Sequence, residues 1–471
     1  MKIFNILDFG ARICDTLQTK AIQDAIDACF LAGGGRVVIP TGIYLTGGLR
    51  LRSNVELYLE SGAILKGSRD PEDYFGYLED RIEPVTVEPI GDTPGKGRSA
   101  VATSDWCNAL IRALDAHDFA IIGEKGSYFD GSNVYNPNGE NNCRGPHGIS
   151  VWRCKNFRFE GYTFLNSSNW CHAIFQSQNV TVRGVSVHGG FDGIDIRTCD
   201  NVLIEDCNLN TGDDAVAGFD NNDVIVRNCK LNSASIALRI GGNNFLVENC
   251  VSDERNFGQR LNLSPEKKEK NCISDEKCRH ESHAVFSYYC DFRAILRKSP
   301  ENIVIRNCRF TQAREAMRLE FTGLNRWCRQ RGLKEITFEN CFIGDLYRTG
   351  MLWGDAEEKV TCRFKNVTFA CREGNEQVPM LAVGNIEKLI FEDCTFRGYQ
   401  KPIFLLGTDD ENNVEVIRSG EIDLRRVSFE DCVAAHPGGV ASQDKGKFLF
   451  WDLKDPMAPP VEGKKPPEKK A

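Results

Sequence analysis

No run of about 18 apolar residues occurs anywhere in this 471-residue chain, so the sequence offers no candidate for a membrane-spanning helix. The N-terminal stretch MKIFNILDFGAR has one early lysine but meets Asp8 before an apolar segment of signal-peptide length can form. An excess of basic residues is missing as well. The chain carries 58 Lys and Arg against 66 Asp and Glu, a formal net charge of −8, which argues against a nucleic-acid surface. Also absent are helix-length apolar patterns between strands and the Leu-x-x-Leu-x-Leu phrase of leucine-rich horseshoes. The expectation is a soluble, cytoplasmic protein with neither membrane nor nucleic acid as partner.

Cysteine, by contrast, is plentiful, with 20 in all. Cys207, Cys229, Cys250, Cys308, Cys341 and Cys394 close the same small phrase, read as EDC, RNC, ENC, RNC, ENC and EDC. A small hydrophobe recurring at one position of a repeat predicts an internal stack of reduced thiols, which fits a reducing compartment. Disulfides between neighbouring repeats remain the alternative.

Taken in order, residues 1 to 70 read as an entry unit. Thr16 can cap a helix whose apolar positions Ile22, Ile26, Cys29 and Phe30 share one face, and Gly33-Gly34-Gly35 stops it. Strands are expected at Arg36-Val37-Val38-Ile39 and at 55–59. Residues 70–97, rich in acid, Pro and Gly, read as a long surface loop. From Asn156 a phrase of the form Asn-apolar-x-apolar recurs at Asn179, Asn201, Asp223 and Asn244, with spacings of 23, 22, 22 and 21 residues. After a break it returns at Asn302, Glu335, Thr361 and Lys388. A fixed period in the low twenties with short β-branched strands predicts an all-β solenoid, a right-handed parallel β-helix with an N-terminal capping helix. A single domain over 1–455 is expected, with an inserted loop at 253–300 and terminal coils that degrade beyond 400. The Pro- and Lys-rich end, 456–471, reads as disordered.

The chemistry gathers in Phe191–Phe219, FDGIDIRTCDNVLIEDCNLNTGDDAVAGF. Asp192 and Asp195 stand at one end of a strand-like run, Asp213 and Asp214 at the other, and Asp192 and Asp213 are 21 residues apart. One coil of separation places such residues on stacked strands roughly 4.8 Å apart. Paired carboxylates at a fixed separation are what glycoside hydrolysis needs, one as acid and one to activate water or attack. Splayed tips could reach the roughly 6.5–9.5 Å of an inverting enzyme or stay near the about 5 Å of a retaining one, and stacking leaves both open. Asp213 and Asp214 can share a cleft only if the chain bends, for which Gly212 is suited.

The DFGA of residues 8–11, the AIQDAIDA helix, FDGID at 191–195 and TGDD at 211–214 resemble glycoside hydrolase family 28, the polygalacturonase-like pectin hydrolases. The resemblance covers most of residues 1–400. It implies a right-handed β-helix, no metal or cofactor, and an inverting reaction in which Asp213 is the general acid while Asp192 and Asp214 hold and activate the water. The chain departs from the family pattern in three places. Gly190 and Phe191 replace an Asn-Thr pair, Ser235-Ile236-Ala237 replaces Gly-His-Gly, and Arg318-Leu319-Glu320 stands where the family has Arg-Ile-Lys.

Other side chains are candidates for substrate binding. Asp195 reads either as cleft support or as a turn residue. Arg239 and Arg318 could clamp an acidic sugar through bidentate hydrogen bonds, and Trp170 could stack on a ring or form an apolar wall. Within the break, His280 and His283 could replace the missing family His, or join Cys272 and Cys278 in a zinc set of non-standard spacing. A plain surface loop packed by Phe286, Tyr288 and Tyr289 is the simpler reading. Together these features point to a glycosidase acting on pectin-type oligosaccharides, galacturonan or rhamnogalacturonan, with long loops favouring exo action. A non-catalytic carbohydrate-binding β-helix and a polysaccharide lyase are the rivals.

Overall fold

The repeated phrase folds as one coil because its two ends sit at corners that few residues tolerate. In the computed structural model Asn156, Asn179, Asn201, Asp223, Asn244 and Asn302 all have φ between 53° and 57°, the left-handed region that Asn and Asp enter most cheaply among residues with a side chain. The middle residue of each Cys phrase does the same: Asp206, Asn228, Asn249, Asn307, Asn340 and Asp393 have φ from 52° to 55°. Corner amides then bond from rung to rung. Asn201 Nδ2 donates to Asn179 Oδ1 at 2.8 Å and Asn179 Nδ2 to Asn156 Oδ1 at 2.7 Å.

Between the corners, alternate residues turn inward. Val202 and Ile204 are buried while Leu203 is half-exposed. Parallel pairing stacks like upon like, Val180 on Val202 on Val224 and Val182 on Ile204 on Val226. The offset of 22 residues is the period read from the sequence. The described residues are 1–74, 108–139, 143–254, 281–288, 290, 297–311, 313–320, 332–354, 359–374, 378–400, 403–406, 420–432, 449–450 and 461–462. The 16 cysteines among them are free thiols, and most are buried. The thiols of successive rungs meet, as where the Cys207 amide points at Cys229 Sγ at 3.5 Å.

The chain separates into two compact units. Its first unit comprises the described residues within Met1–Ala217 and Asn221–Ala234. Here the parallel strands form three columns. One includes Lys155–Glu160, Gln178–Arg183 and Asp200–Glu205; the second includes His147–Trp152, His172–Phe175 and Ile194–Arg197; the third includes Thr163–Leu165, Ser186–Gly189 and Asn208–Thr211. The helix Thr19–Leu31 packs on the first strands through Ile22, Ala25, Ile26 and Cys29. Thr16 is not its cap. The helix starts at Thr19 after Gln18, no side chain caps it, and Thr16 Oγ1 instead accepts from Gln18 Nε2. Phe30 also falls outside the buried stripe. Coiling begins earlier than the Asn156 phrase, since Phe119 and Ile121 already stack under Phe157 and Phe159.

The second unit comprises Gly218–Asp220, Ser235–Arg255 and Glu281 onward. It repeats the three-column plan, with Ile303 on Ile336, Cys362, Leu389 and Ile422 in one line. Phe338, Phe364 and Phe391 form an internal ring stack with centroids 5.0 and 4.9 Å apart. Beyond residue 400, Glu421–Arg425 lies on Lys388–Glu392. Two expectations are corrected here. Ser282–Tyr288, expected within an inserted loop, is a strand in register with Ile236–Glu248, because Ala284, Phe286 and Tyr288 bury inward like any rung. Val461–Glu462, within the tail expected to lack structure, pairs antiparallel with Leu449–Phe450. The loop expected at 70–97 lies outside the described residues from 75 onward.

No helix among the described residues is long and apolar enough to cross a membrane. Because Ile204 fills the space between Val182 and Val226, Ile204→Ala is expected to cost about 2–5 kcal/mol, read from chemical denaturation midpoints.

Candidate functional site

Two successive corners of the first unit carry the acids. Strands Ser186–Gly189 and Asn208–Thr211 lie in register, Gly189 on Thr211, and both chains then turn before the next column begins. The turns stay bonded to each other, Gly193 N to Asp214 O at 2.9 Å and Ile194 N to Ala215 O at 3.0 Å. The register of 22 sharpens the expected stacking. Asp192 lies level with Asp214, whose amide donates to Asp192 Oδ1 at 3.2 Å, and Asp213 is one residue earlier. Both Asp213 and Asp214 reach the same place because the strand is interrupted between Thr211 and Val216. Gly212 allows that bend: a Cβ on it would stand 2.5 Å from the Gly190 carbonyl oxygen. The Asp213 carbonyl is fixed by the hydroxyls of Thr211 at 2.7 Å and Ser233 at 2.6 Å.

One oxygen from each of Asp192, Asp213 and Asp214 lies within 4.8 Å of the others. The three differ in depth. Asp192 and Asp214 are 4% and 1% exposed, while the Asp213 side chain is 18% exposed. Burial pushes the Asp192 carboxyl well above the usual carboxylate range, the charges of Asp213, Asp214 and Asp195 push the same way, and the Arg144 guanidinium opposes them. Arg144 Nη2 lies 3.9 Å from Asp213 Oδ2. The same three oxygens are close enough to ligate a cation, for which Arg144 would compete at Asp213. Beneath the site, buried His172 contacts the Gly193 carbonyl through Nδ1 at 3.1 Å and the Tyr162 hydroxyl through Nε2 at 2.8 Å. A carbonyl only accepts, so Nδ1 carries the hydrogen and the tyrosine donates to Nε2. Burial lowers this imidazole to about 4, so it adds no charge to the site at neutral pH.

The remaining candidates divide sharply. Asp195 is fully buried and gripped by Arg197 through two bonds of 2.8 and 3.0 Å, so it supports the corner and cannot touch a substrate. Trp170 is buried too, with the Arg197 guanidinium 4.3 Å above its ring, which closes that face to a sugar. Arg239, His283 and Arg318 belong to the second unit. There Arg239, Ser287 and Arg318 occupy one line of the sheet on successive rungs. The guanidinium of Arg318 is engaged by buried Glu315 at 3.1 and 2.9 Å, and His283 Nε2 meets the same carboxylate at 3.1 Å. The His283 amide bonds the Ser235 carbonyl at 2.5 Å, one rung above the segment that replaces the family's Gly-His-Gly. His280, Cys272 and Cys278 lie outside the described residues, and the zinc set with them. Sequence reasoning missed Arg144, Asn169 and His172. Each is set at the site by rung stacking, and no local motif marks it.

The family described as right handed beta helix region matches residues 108–252 and 147–316. A probable polygalacturonase of Vitis vinifera is 29% identical over 222 residues, 44% of this chain and 42% of that protein. An exo-poly-alpha-D-galacturonosidase of Dickeya chrysanthemi is 38% identical over 109 residues, 22% of this chain and 17% of that protein. The chain thus spans less than half the length of either relative. The structure of an exopolygalacturonase from Thermotoga maritima superposes with a TM-score of 0.54 at 20% identity, covering 91% of this chain and 92% of that one, which establishes the shared right-handed parallel β-helix.

Asp192→Asn keeps an acceptor for the Asp214 amide and removes a buried group that titrates. A carboxyl pushed upward binds its proton more tightly in the folded state. The wild type therefore loses stability as pH rises from the unfolded value of about 3.9 toward the folded one. Asp192→Asn is expected to raise Tm by several degrees at pH 8 and to change it little at pH 4, measured by thermal melts.

Proposed function

We propose that this chain, a divergent relative of the polygalacturonases, hydrolyses glycosidic bonds in pectin-type oligosaccharides, galacturonan or rhamnogalacturonan, by inversion and from a chain end. The observation that carries the reading is a set of three carboxylates with oxygens within 4.8 Å, of which Asp213 is the most open to solvent. Asp213 gives its proton to the glycosidic oxygen as the bond to the anomeric carbon breaks. A water held by Asp192 and Asp214 attacks that carbon from the opposite face. Asp192, whose carboxyl burial pushes well above the usual carboxylate range, orients the water, and Asp214 accepts its proton.

The oxygen separation is nearer the about 5 Å of retaining enzymes than the roughly 6.5–9.5 Å of inverting ones. Depth favours inversion all the same. A retaining nucleophile must touch the anomeric carbon, whereas Asp192 and Asp214 are recessed and act through a water. Pectic substrates and exo action are supported by the names of the relatives above. A second reading, carbohydrate binding without turnover, draws on Ile236 and Glu320 standing where the family has His and Lys.

The test incubates wild type and Asp213→Asn with a panel of pectic oligosaccharides. Wild type is expected to release reducing ends as mono- or disaccharide first, with the variant slower by about 10²–10⁴-fold and wild-type activity unchanged by chelator. Proton NMR of the first product should show the anomer opposite to the substrate's. A new double bond absorbing in the ultraviolet would indicate a lyase, a ladder of intermediate lengths would replace exo by endo action, and binding without product would sink the hydrolase reading.

A further inference from the structure

Among the described residues Arg144 is drawn against the carboxylate triad in the first unit, and the reaction proposed above gives it a task. Its residue precedes the strand His147–Trp152, two rungs before the Asp192 corner, and its side chain is only 10% exposed. Nη1 donates to Asn169 Oδ1 at 3.1 Å, and the guanidinium carbon lies 4.6 Å from the centre of the Phe191 ring. Nη2 then stands 3.9 Å from Asp213 Oδ2, close enough for strong charge attraction and too far for a hydrogen bond. A closed Arg–carboxylate fork, such as Arg197 makes with Asp195, would lock an acid in place. The contact Arg144 makes at Asp213 is looser than that fork and does not by itself fix the direction of the carboxyl.

Resting on the hydrolase reading, we infer that Arg144 is a positioning residue for the general acid, holding the Asp213 carboxyl at the mouth of the site and stabilising the anion left when its proton has gone to the leaving oxygen. Among the described residues the charged groups facing Asp213 are Asp192, Asp214 and Arg144, and Asp195 behind them is paired with Arg197. A new anion at Asp213 is formed within reach of the Arg144 guanidinium, which favours it. Phe191 belongs to the same device. It stands where the family pattern has Thr, and its ring is the platform on which the guanidinium rests.

The test compares Arg144→Gln and Arg144→Lys with wild type on two substrates: the pectic oligosaccharide that wild type cleaves, and the 2,4-dinitrophenyl glycoside of the same sugar, whose leaving group departs without protonation. Arg144→Gln is expected to lower kcat on the oligosaccharide by about 10²-fold and on the aryl glycoside by no more than a few-fold, with KM little changed. Arg144→Lys, which keeps the charge, should recover at least about tenfold of the loss. Equal losses on both substrates, or none on either, would overturn the assignment to Asp213. Failure of wild type to cleave either substrate would instead overturn the hydrolase reading on which it rests. Circular dichroism and melts of both variants separate these outcomes from misfolding.

Discussion

Rung-on-rung register is the constraint on which the candidate site depends. Asp192 and Asp214 share no segment of chain, yet they are neighbours because Gly189 lies on Thr211 and Val180 on Val202. A one-residue slip would turn every inward Val and Ile outward, so the core holds the register with far more energy than the site could supply. Corner asparagines bonded in file add a second lock, since only Asn, Asp or Gly takes their left-handed conformation without large cost. The acids therefore need no strong contacts of their own to stay in place.

That surplus is what the site consumes. Three carboxylates within 4.8 Å, two of them nearly sealed from water, oppose folding both by repulsion and by lost hydration. The surroundings limit the charge without cancelling it. His172 stays neutral, Asp195 is matched by Arg197, and Arg144 approaches Asp213 without closing on it. The buried Asp192 carboxyl is pushed well above the usual carboxylate range as a result. Such a cluster is tolerable only on a scaffold that over-determines its geometry.

The period in the low twenties was legible because αL corners restrict residue choice so tightly that Asn and Asp recur in phase, each Asp or Asn of the second set followed by a small buried Cys. The same signal located the acid corners, and Gly212 marked the bend between them. It erred by one residue in pairing, because counting from motif to motif hides the shift that the backbone bonds reveal, Asp214 on Asp192. Ser282–Tyr288 was hidden for another reason. It follows a long departure from the repeat and lacks the leading Asn, so only its burial identifies it as a rung. Trp170 and Asp195 illustrate a further limit. Their residue types suit sugar contact, and nothing local discloses that Arg197 occupies both. Arg144 was illegible because it reaches the acids from two rungs away, through space that the sequence does not index.

A parallel β-helix does not select a chemistry by itself, since its corners accept many side chains. What distinguishes this chain is where it changes. The three acids stand on successive corners at a fixed spacing, whereas Gly190 and Phe191 beside them and Ile236 two rungs on depart from the pattern of the pectin hydrolases that the sequence resembles. In the second unit Glu315 gathers His283 and Arg318 onto one buried carboxylate. Rung register holds each corner in place whatever side chain it carries, so substitutions at a corner can change its chemistry while the backbone geometry beneath it is preserved.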